Sequence, residues 1–419
     1  MFNFFLNCNI HVWVGALLIL LPNLSHAAVL EVGKGKQYQT IQKALESSKP
    51  YDTLYIHSGE YKEGNIRITK PLTIIGRNWP IINGEKKVEL MTIRSSYVNI
   101  SGLVLKNSAE GTMNDPAAIR VAEANHISVV NNKMYNNFFA VYLQYAKHCL
   151  IKDNVITASQ QHEYQSGNGI HCWKSDSLQI IGNRIAGHRD GIYFEFVTHS
   201  IIWRNIAENN LRYGLHFMFS NNDTYITNLF RNNGSGVAVM FTKHVTMINN
   251  TFTENWGDAS YGVLLKEISD CYMSGNKFYR NTTGIFLDGS NRVKIEKNSF
   301  KGNGWGMRLQ ANCMDNVIGQ NNFIGNTFDV STNGSLTLNV FEGNYWDNYE
   351  GYDLDKDKTG DLPYRPLSLY SVLVEKNPPA MLLYRSFMVN LLDRSEKIIP
   401  SLTPENFIDK TPKIIPYQI

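Results

Sequence analysis

Gly191-Ile192-Tyr193-Phe194 is answered 23 residues later by Gly214-Leu215-His216-Phe217. Each is a small residue, an aliphatic, a variable residue and an apolar one. The same tetrapeptide reads Ala140-Val141-Tyr142-Leu143 and Gly169-Ile170-His171-Cys172 upstream. Downstream it reads Gly236-Val237-Ala238-Val239, Gly262-Val263-Leu264-Leu265, Gly284-Ile285-Phe286-Leu287 and, with Met as the second residue, Gly306-Met307-Arg308-Leu309. The steps between first residues are 29, 22, 23, 22, 26, 22 and 22. A fixed period of this length is the signature of a solenoid.

A second register runs beside the first. Asn132, Asn154, Asn183, Asn205, Asn228, Asn250, Asn276, Asn298, Asn321 and Asn344 recur with a large or apolar residue two places on, as in Asn250-Thr251-Phe252. Asn tolerates left-handed backbone and bonds nearby backbone groups. Stacked at equivalent turns, its amides form a ladder. Each repeat is therefore strand, turn, strand, turn, and the chain is expected to be all-β: a right-handed parallel β-helix of about 22-residue coils. Helical repeats do not fit a chain so rich in Asn, Gly, Thr and β-branched residues.

Net charge is only +3, which gives no argument for a nucleic-acid partner. Residues 1–27 read as an export signal that implies a periplasmic location. The apolar run Val12 to Leu21 is short for a membrane span, and Ser25-His26-Ala27 is a small-residue cleavage site. Cys149, Cys172, Cys271 and Cys313 are too sparse and scattered for a disulfide framework.

Residues 28–50 supply a strand and a short amphipathic helix, Tyr38 to Ser47, that caps the open end of the solenoid. Coils run over 51–346, with excursions near Gln160 to Ser166 and Trp256 to Ser260. Insertions of this kind map to one face, often the working one. Residues 347–378 form an acidic loop and a closing segment. Residues 379–419 are an apolar extension, helical from Pro379 to Leu392 and extended after Pro400. That extension either packs back as a cap or docks on a partner.

Positions one and three after the small residue are apolar and face the core; positions two and four face outward. Read down the stack, this brings His171, Glu195, His216, Met218 and Met240 onto one patch flanked by Trp173 and Tyr193. Thioether sulfur with imidazole is a ligand set for Cu(I). The same residue types also make protein-docking surfaces. In the acidic loop, Asp353, Asp355, Asp357 and Asp361 offer hard oxygen ligands at spacings like those of a calcium loop. Lys358 stands where the sharp-turn Gly belongs and Tyr364 where the bidentate Glu does, so a solvated acidic turn is the other reading. An enzyme acting on an acidic polysaccharide is the rival class. It needs paired carboxylates or a base with calcium, and the patch offers only Glu195.

Several segments resemble the NosD family, the periplasmic maturation proteins of nitrous oxide reductase. They are Gly169-Ile170-His171, the run His188 to Glu195, the run Arg212 to Met218, and Gly343-Asn344-Tyr345-Trp346-Asp347 through to Pro363-Tyr364-Arg365-Pro366. Pro400-Ser401-Leu402-Thr403-Pro404-Glu405 also fits. The resemblance covers essentially the whole mature chain. It implies a non-catalytic β-helix that works with an ABC transporter, made of a membrane subunit and an ATPase. It also implies a copper-binding lipoprotein chaperone and apo nitrous oxide reductase as partners. The implied role is relay of copper or a sulfur species during assembly of a copper–sulfur centre. Under this implication Leu382, Leu383, Phe387, Leu391 and Leu392 are the dock for the membrane subunit.

Overall fold

The computed structural model describes residues 27–111, 115–159, 162–163, 166–334, 338–398 and 407–419. The export signal, except its last position, lies outside the described residues. Among these, the strands form three parallel sheets of 14, 12 and 13 strands, each strand pairing with its counterparts in the coils before and after. The fold is the parallel β-solenoid that the period required. One coil consists of Ile201–Trp203, Ile206–Glu208 and Tyr213–Met218, one strand per sheet.

Three devices hold the coils in register. The first is the amide ladder from Asn132 to Asn344. Each Nδ2 donates to the next Oδ1 at 2.9–3.2 Å. The left-handed backbone falls one residue before these asparagines, at positions such as Asn131, Asp153, Arg204 and Asn249. The ladder asparagines are therefore chosen for hydrogen bonding within the core, not for the turn's backbone. The second device is a stack of rings at the expected position, Phe230, Phe252, Phe278, Phe300, Phe323 and Trp346, with centroids 4.3–5.4 Å apart. The third is the small residue that opens each tetrapeptide. A Cβ on Gly191 would lie 2.6 Å from the Gly214 carbonyl oxygen, and the same close approach repeats from Gly214 to Gly284.

Both ends are closed. Helix α1 (Ile41–Ser47) turns Ile41, Ala44 and Leu45 into the core. It begins three residues later than the expected Tyr38, because Thr40 is the N-cap and Glu63 accepts from the Ile41 and Gln42 N–H groups at 2.8 and 2.9 Å. At the far end, residues 407–419 fold back onto the last coil, with parallel bridges Phe341↔Asp409 and Tyr345↔Lys413. Asp409 is fully buried and takes the place of the next ladder Asn, accepting from Asn344 Nδ2 at 3.1 Å and Trp346 Nε1 at 3.1 Å. This part of the extension is a cap.

The single helix expected from Pro379 to Leu392 is corrected. A 3-10 helix, Pro378–Leu383, breaks at Tyr384 to Ser386, where Arg385 adopts a φ of 63°. Helix α3 (Phe387–Ile398) follows. They pack with α2 (Leu369–Lys376), capped by Ser368, on the end of the 12-stranded sheet through Trp305, Phe328 and Tyr370. The sequence reading assigned no helix to α2.

Candidate functional site

The outward face of the 12-stranded sheet carries the predicted patch. Strands Ile170–Trp173, Asp190–Glu195, Tyr213–Met218 and Ser235–Met240 pair in sequence. Their register aligns His171, Tyr193, His216 and Ala238 in one column. It aligns Trp173, Glu195, Met218, Met240 and Lys266 in the next. Successive rungs lie about 4.8 Å apart. Glu195, Met218 and Met240 thus occupy three consecutive rungs. Tyr193 stands between His171 and His216, placing those imidazoles two rungs, roughly 9.6 Å, apart.

The first column is a packed stack. Tyr142, His171, Tyr193 and His216 follow one another with centroids 4.6, 4.7 and 5.0 Å apart. Tyr213 closes on His216 from its own strand at 4.9 Å, leaving it only 6% exposed. The face is therefore more enclosed than an open outward ladder. The Asn168 side-chain amide lies 3.0 Å from His171 Nδ1, within hydrogen-bond distance. Burial and the nearby Arg189 charge push the His171 pKa down to about 3, so its imidazole is neutral. His216 Nε2 is buried with no partner among the described residues. The Tyr193 hydroxyl, its pKa raised by burial to about 12, donates to Met218 Sδ at 3.7 Å.

A buried carboxylate supports this stack. Asp190 is fully buried and accepts from Arg212 Nε and Nη2 at 3.0 and 2.6 Å. Burial pushes its carboxyl up, but His216 and the Arg212 fork overcome this and hold it below its ordinary value. His216 Nδ1 lies 4.0 Å from Asp190 Oδ2 and 3.4 Å from Arg212 Nη2. Asp190 thus orients the ring that carries the orphaned Nε2.

A stripe next to the methionines, exposed at Phe196 and Phe219 and half-buried at Phe241, escaped the sequence reading. Phe196, Phe219 and Phe241 stack nearly parallel at 5.2 and 5.1 Å, one residue after Glu195, Met218 and Met240. Each has left-handed backbone. The signal was available as a repeated aromatic five places after the small residue.

In the acidic loop, Asp353, Asp355 and Asp357 come together. Among the described residues they are the one group of three or more His, Cys, Asp or Glu side chains spaced to hold an ion. Their oxygens already accept backbone N–H bonds from Asp357, Lys358 and Thr359. The Asp357 N–H pulls the Asp355 carboxyl down, yet the charge of Asp357, some burial, a hydrogen bond with Asp353 and the charge of Asp361 leave it above its ordinary value. Asp361 bonds the Leu354 N–H at 2.7 Å instead of joining the cluster. Of the predicted docking residues, Leu382 and Phe387 are 90% and 82% exposed, Leu383 and Leu391 are exposed, and Leu392 is half-buried. Among the described residues Cys149, Cys172, Cys271 and Cys313 are free and buried.

The profile of the NosD family, described as periplasmic copper-binding protein, matches residues 156–351. A probable ABC transporter binding protein NosD from Pseudomonas aeruginosa is 30% identical over 374 residues, covering 85% of this chain and 86% of its own. The chain belongs to the NosD family. A second NosD relative, from Stutzerimonas stutzeri, is 27% identical over 375 residues and also named a probable ABC transporter binding protein, with 85% of each chain covered. Solved structures extend the likeness beyond NosD at the level of fold. A mannuronan C-5 epimerase A-module from Azotobacter vinelandii superposes with a TM-score of 0.51 at 13% identity, over 73% of this chain and 87% of its own. A family 28 exopolygalacturonase from Yersinia enterocolitica gives 0.51 at 10% identity, over 75% and 78%. Identity this low speaks only to the solenoid.

Proposed function

We propose that this NosD-family chain is a non-catalytic, periplasmic copper-handling protein that works with an ABC transporter in assembling the copper–sulfur centre of nitrous oxide reductase. The observation that carries this reading is the placement of Met218 and Met240 on adjacent rungs of the column next to His216, whose Nε2 has no partner among the described residues. Two thioethers and an imidazole are soft and borderline donors suited to Cu(I). Glu195 borders them, and the Tyr193 hydroxyl holds the Met218 thioether in place. His171, two rungs away, is a separate waypoint for the ion instead of a fourth ligand to it. Copper is cargo here, bound by few ligands and released by exchange. The chaperone and apo-reductase meet this face, and the membrane subunit meets the exposed residues of 382–391.

The test is a Cu(I) titration of the mature protein against a competing chelator, with Met218→Ala/Met240→Ala beside it. Affinity should fall at least tenfold in the variant, with the far-UV spectrum unchanged. Equal affinity in both proteins would remove the methionine pair from copper handling. Turnover of an acidic glycan that is lost in Glu195→Gln would move the chain to the polysaccharide class.

A further inference from the structure

The outward face of the same sheet begins in a different chemistry. Over its first rungs lies a groove of about 950 Å³, bordered by Asn65, Arg67, Lys87, Arg94, Arg120 and Gln144. We propose that this groove binds an extended, acidic polypeptide segment of a partner protein, with Arg67 and Arg94 as the two forks that hold its carboxylates. The site requires no copper and stands apart from the methionine pair.

Charge is the first reason. The lining holds four cationic side chains, Arg67, Lys87, Arg94 and Arg120, against two carboxylates, Glu89 and Glu110. Both carboxylates are neutralised within the protein. Arg120 Nε bonds Glu89 at 2.7 Å, and Lys86 bonds Glu110 at 3.0 Å. Arg67 and Arg94 are exposed, and neither side chain has an ion pair or hydrogen bond among the described residues. A guanidinium presents a planar pair of donors matched to a carboxylate, so two unpaired ones side by side form a receptor for two carboxylates.

Spacing is the second reason. Arg67 pairs in register with Thr92, and Arg94 lies two residues beyond Thr92. The two arginines are thus one rung and two residues apart, a separation of roughly 8 Å at their Cα atoms. Carboxylates at alternate positions of an extended chain lie about 7 Å apart on one side. An acidic segment laid along the groove meets both forks without distortion.

The lining also argues against an acidic glycan. Among the described residues, no aromatic ring lines the groove. The nearest outward ring on the face, Tyr142, is covered by the Arg120 guanidinium at 4.7 Å. A sugar has no open platform to stack on, whereas a peptide carboxylate needs only the forks. The location is functional in a further sense. Following the outward column from Arg94 through Gln144, Trp173 and Glu195, Met218 lies five rungs on, roughly 24 Å. A small domain anchored by an acidic segment here spans that distance.

The experiment uses a fluorescein-labelled hexaglutamate peptide and fluorescence polarisation with the mature protein. Saturable binding is expected. It should weaken at least tenfold in Arg67→Gln/Arg94→Gln. It should be unchanged in Lys152→Gln/Arg204→Gln, which removes the same charge from the 14-stranded sheet and the turn that follows its strand Ile201–Trp203, and in Met218→Ala/Met240→Ala. The proposal is overturned by absence of saturable binding. Equal weakening in the two charge-matched variants would overturn it too, since that is net charge alone. Displacement of the label by hexagalacturonate at lower concentration than by unlabelled hexaglutamate would replace the peptide with a glycan. Loss of copper affinity in the methionine variant does not bear on any of these outcomes.

Discussion

Asp223 shows what one side chain costs when it stands in for an amide. It is fully buried, accepts from the Ser200 N–H at 2.8 Å through Oδ1, and leaves Oδ2 with no partner among the described residues. At the equivalent turn Asn316 accepts from the Val293 N–H at 2.8 Å and donates its Nδ2 to the Ser290 carbonyl at 2.8 Å. Burial raises the Asp223 pKa from 3.8 to about 8. The unfolded chain ionises near pH 4 while the folded one keeps the proton, so the folded state is favoured most below pH 4. This advantage declines as pH rises to about 8 and is flat beyond it. Asp223→Asn should therefore stabilise the fold, and by roughly 2–4 kcal/mol more at pH 8 than at pH 5. Urea unfolding at the two pH values measures this; an equal effect at both would mean that the carboxyl does not hold its proton. Nothing in the sequence around Asp223 signals this burial, which depends on coils packed above and below it.

The strands were legible because each coil repeats the same alternation, and a repeat averages out local exceptions. Small residue, inward apolar, outward variable, inward apolar fixed the register of His171, Glu195, His216, Met218 and Met240 before any coordinates. What stayed hidden was enclosure: that Tyr213 shuts over His216 follows from packing, not from spacing. The C-terminal elements were harder still, because nothing repeats there. Helix α2 is eight residues long, and the break at Arg385 separates two short helices that both pack against the cluster around Phe328. These elements make a prediction about docking. Removing everything after residue 378 would also remove the 407–419 cap, so truncation confounds docking with folding. Leu382→Asp/Phe387→Asp changes only two highly exposed side chains and should leave the thermal midpoint within a degree or two. Association with the transporter membrane subunit in nanodiscs should fall at least tenfold. Unchanged association would place the dock elsewhere, on the stripe of Phe196, Phe219 and Phe241 as the next surface to alter.

A solenoid is held together by neighbour-to-neighbour contacts, so its ends decide how it comes apart. Here the amide ladder does not simply stop. It ends on Asp409, 65 residues beyond Asn344, whose carboxylate gathers N–H groups from Gly343, Asn344, Trp346 and Thr411. No local pattern announces such a contact, which is why the tail read only as extended. Asp409→Ala leaves the Trp346 indole N–H and the Asn344 backbone N–H buried without these acceptors, at roughly 1–3 kcal/mol each, or about 3–5 kcal/mol for the cap. The loss should stay local. Hydrogen exchange should speed up across 322–346 and 407–419, while the coils carrying His171 and Met218 keep their protection. Cu(I) affinity should then match the parent protein. Uniform loss of protection along the whole rod would instead mean that the molecule unfolds as one unit, and that the cap at one end governs the site near its middle.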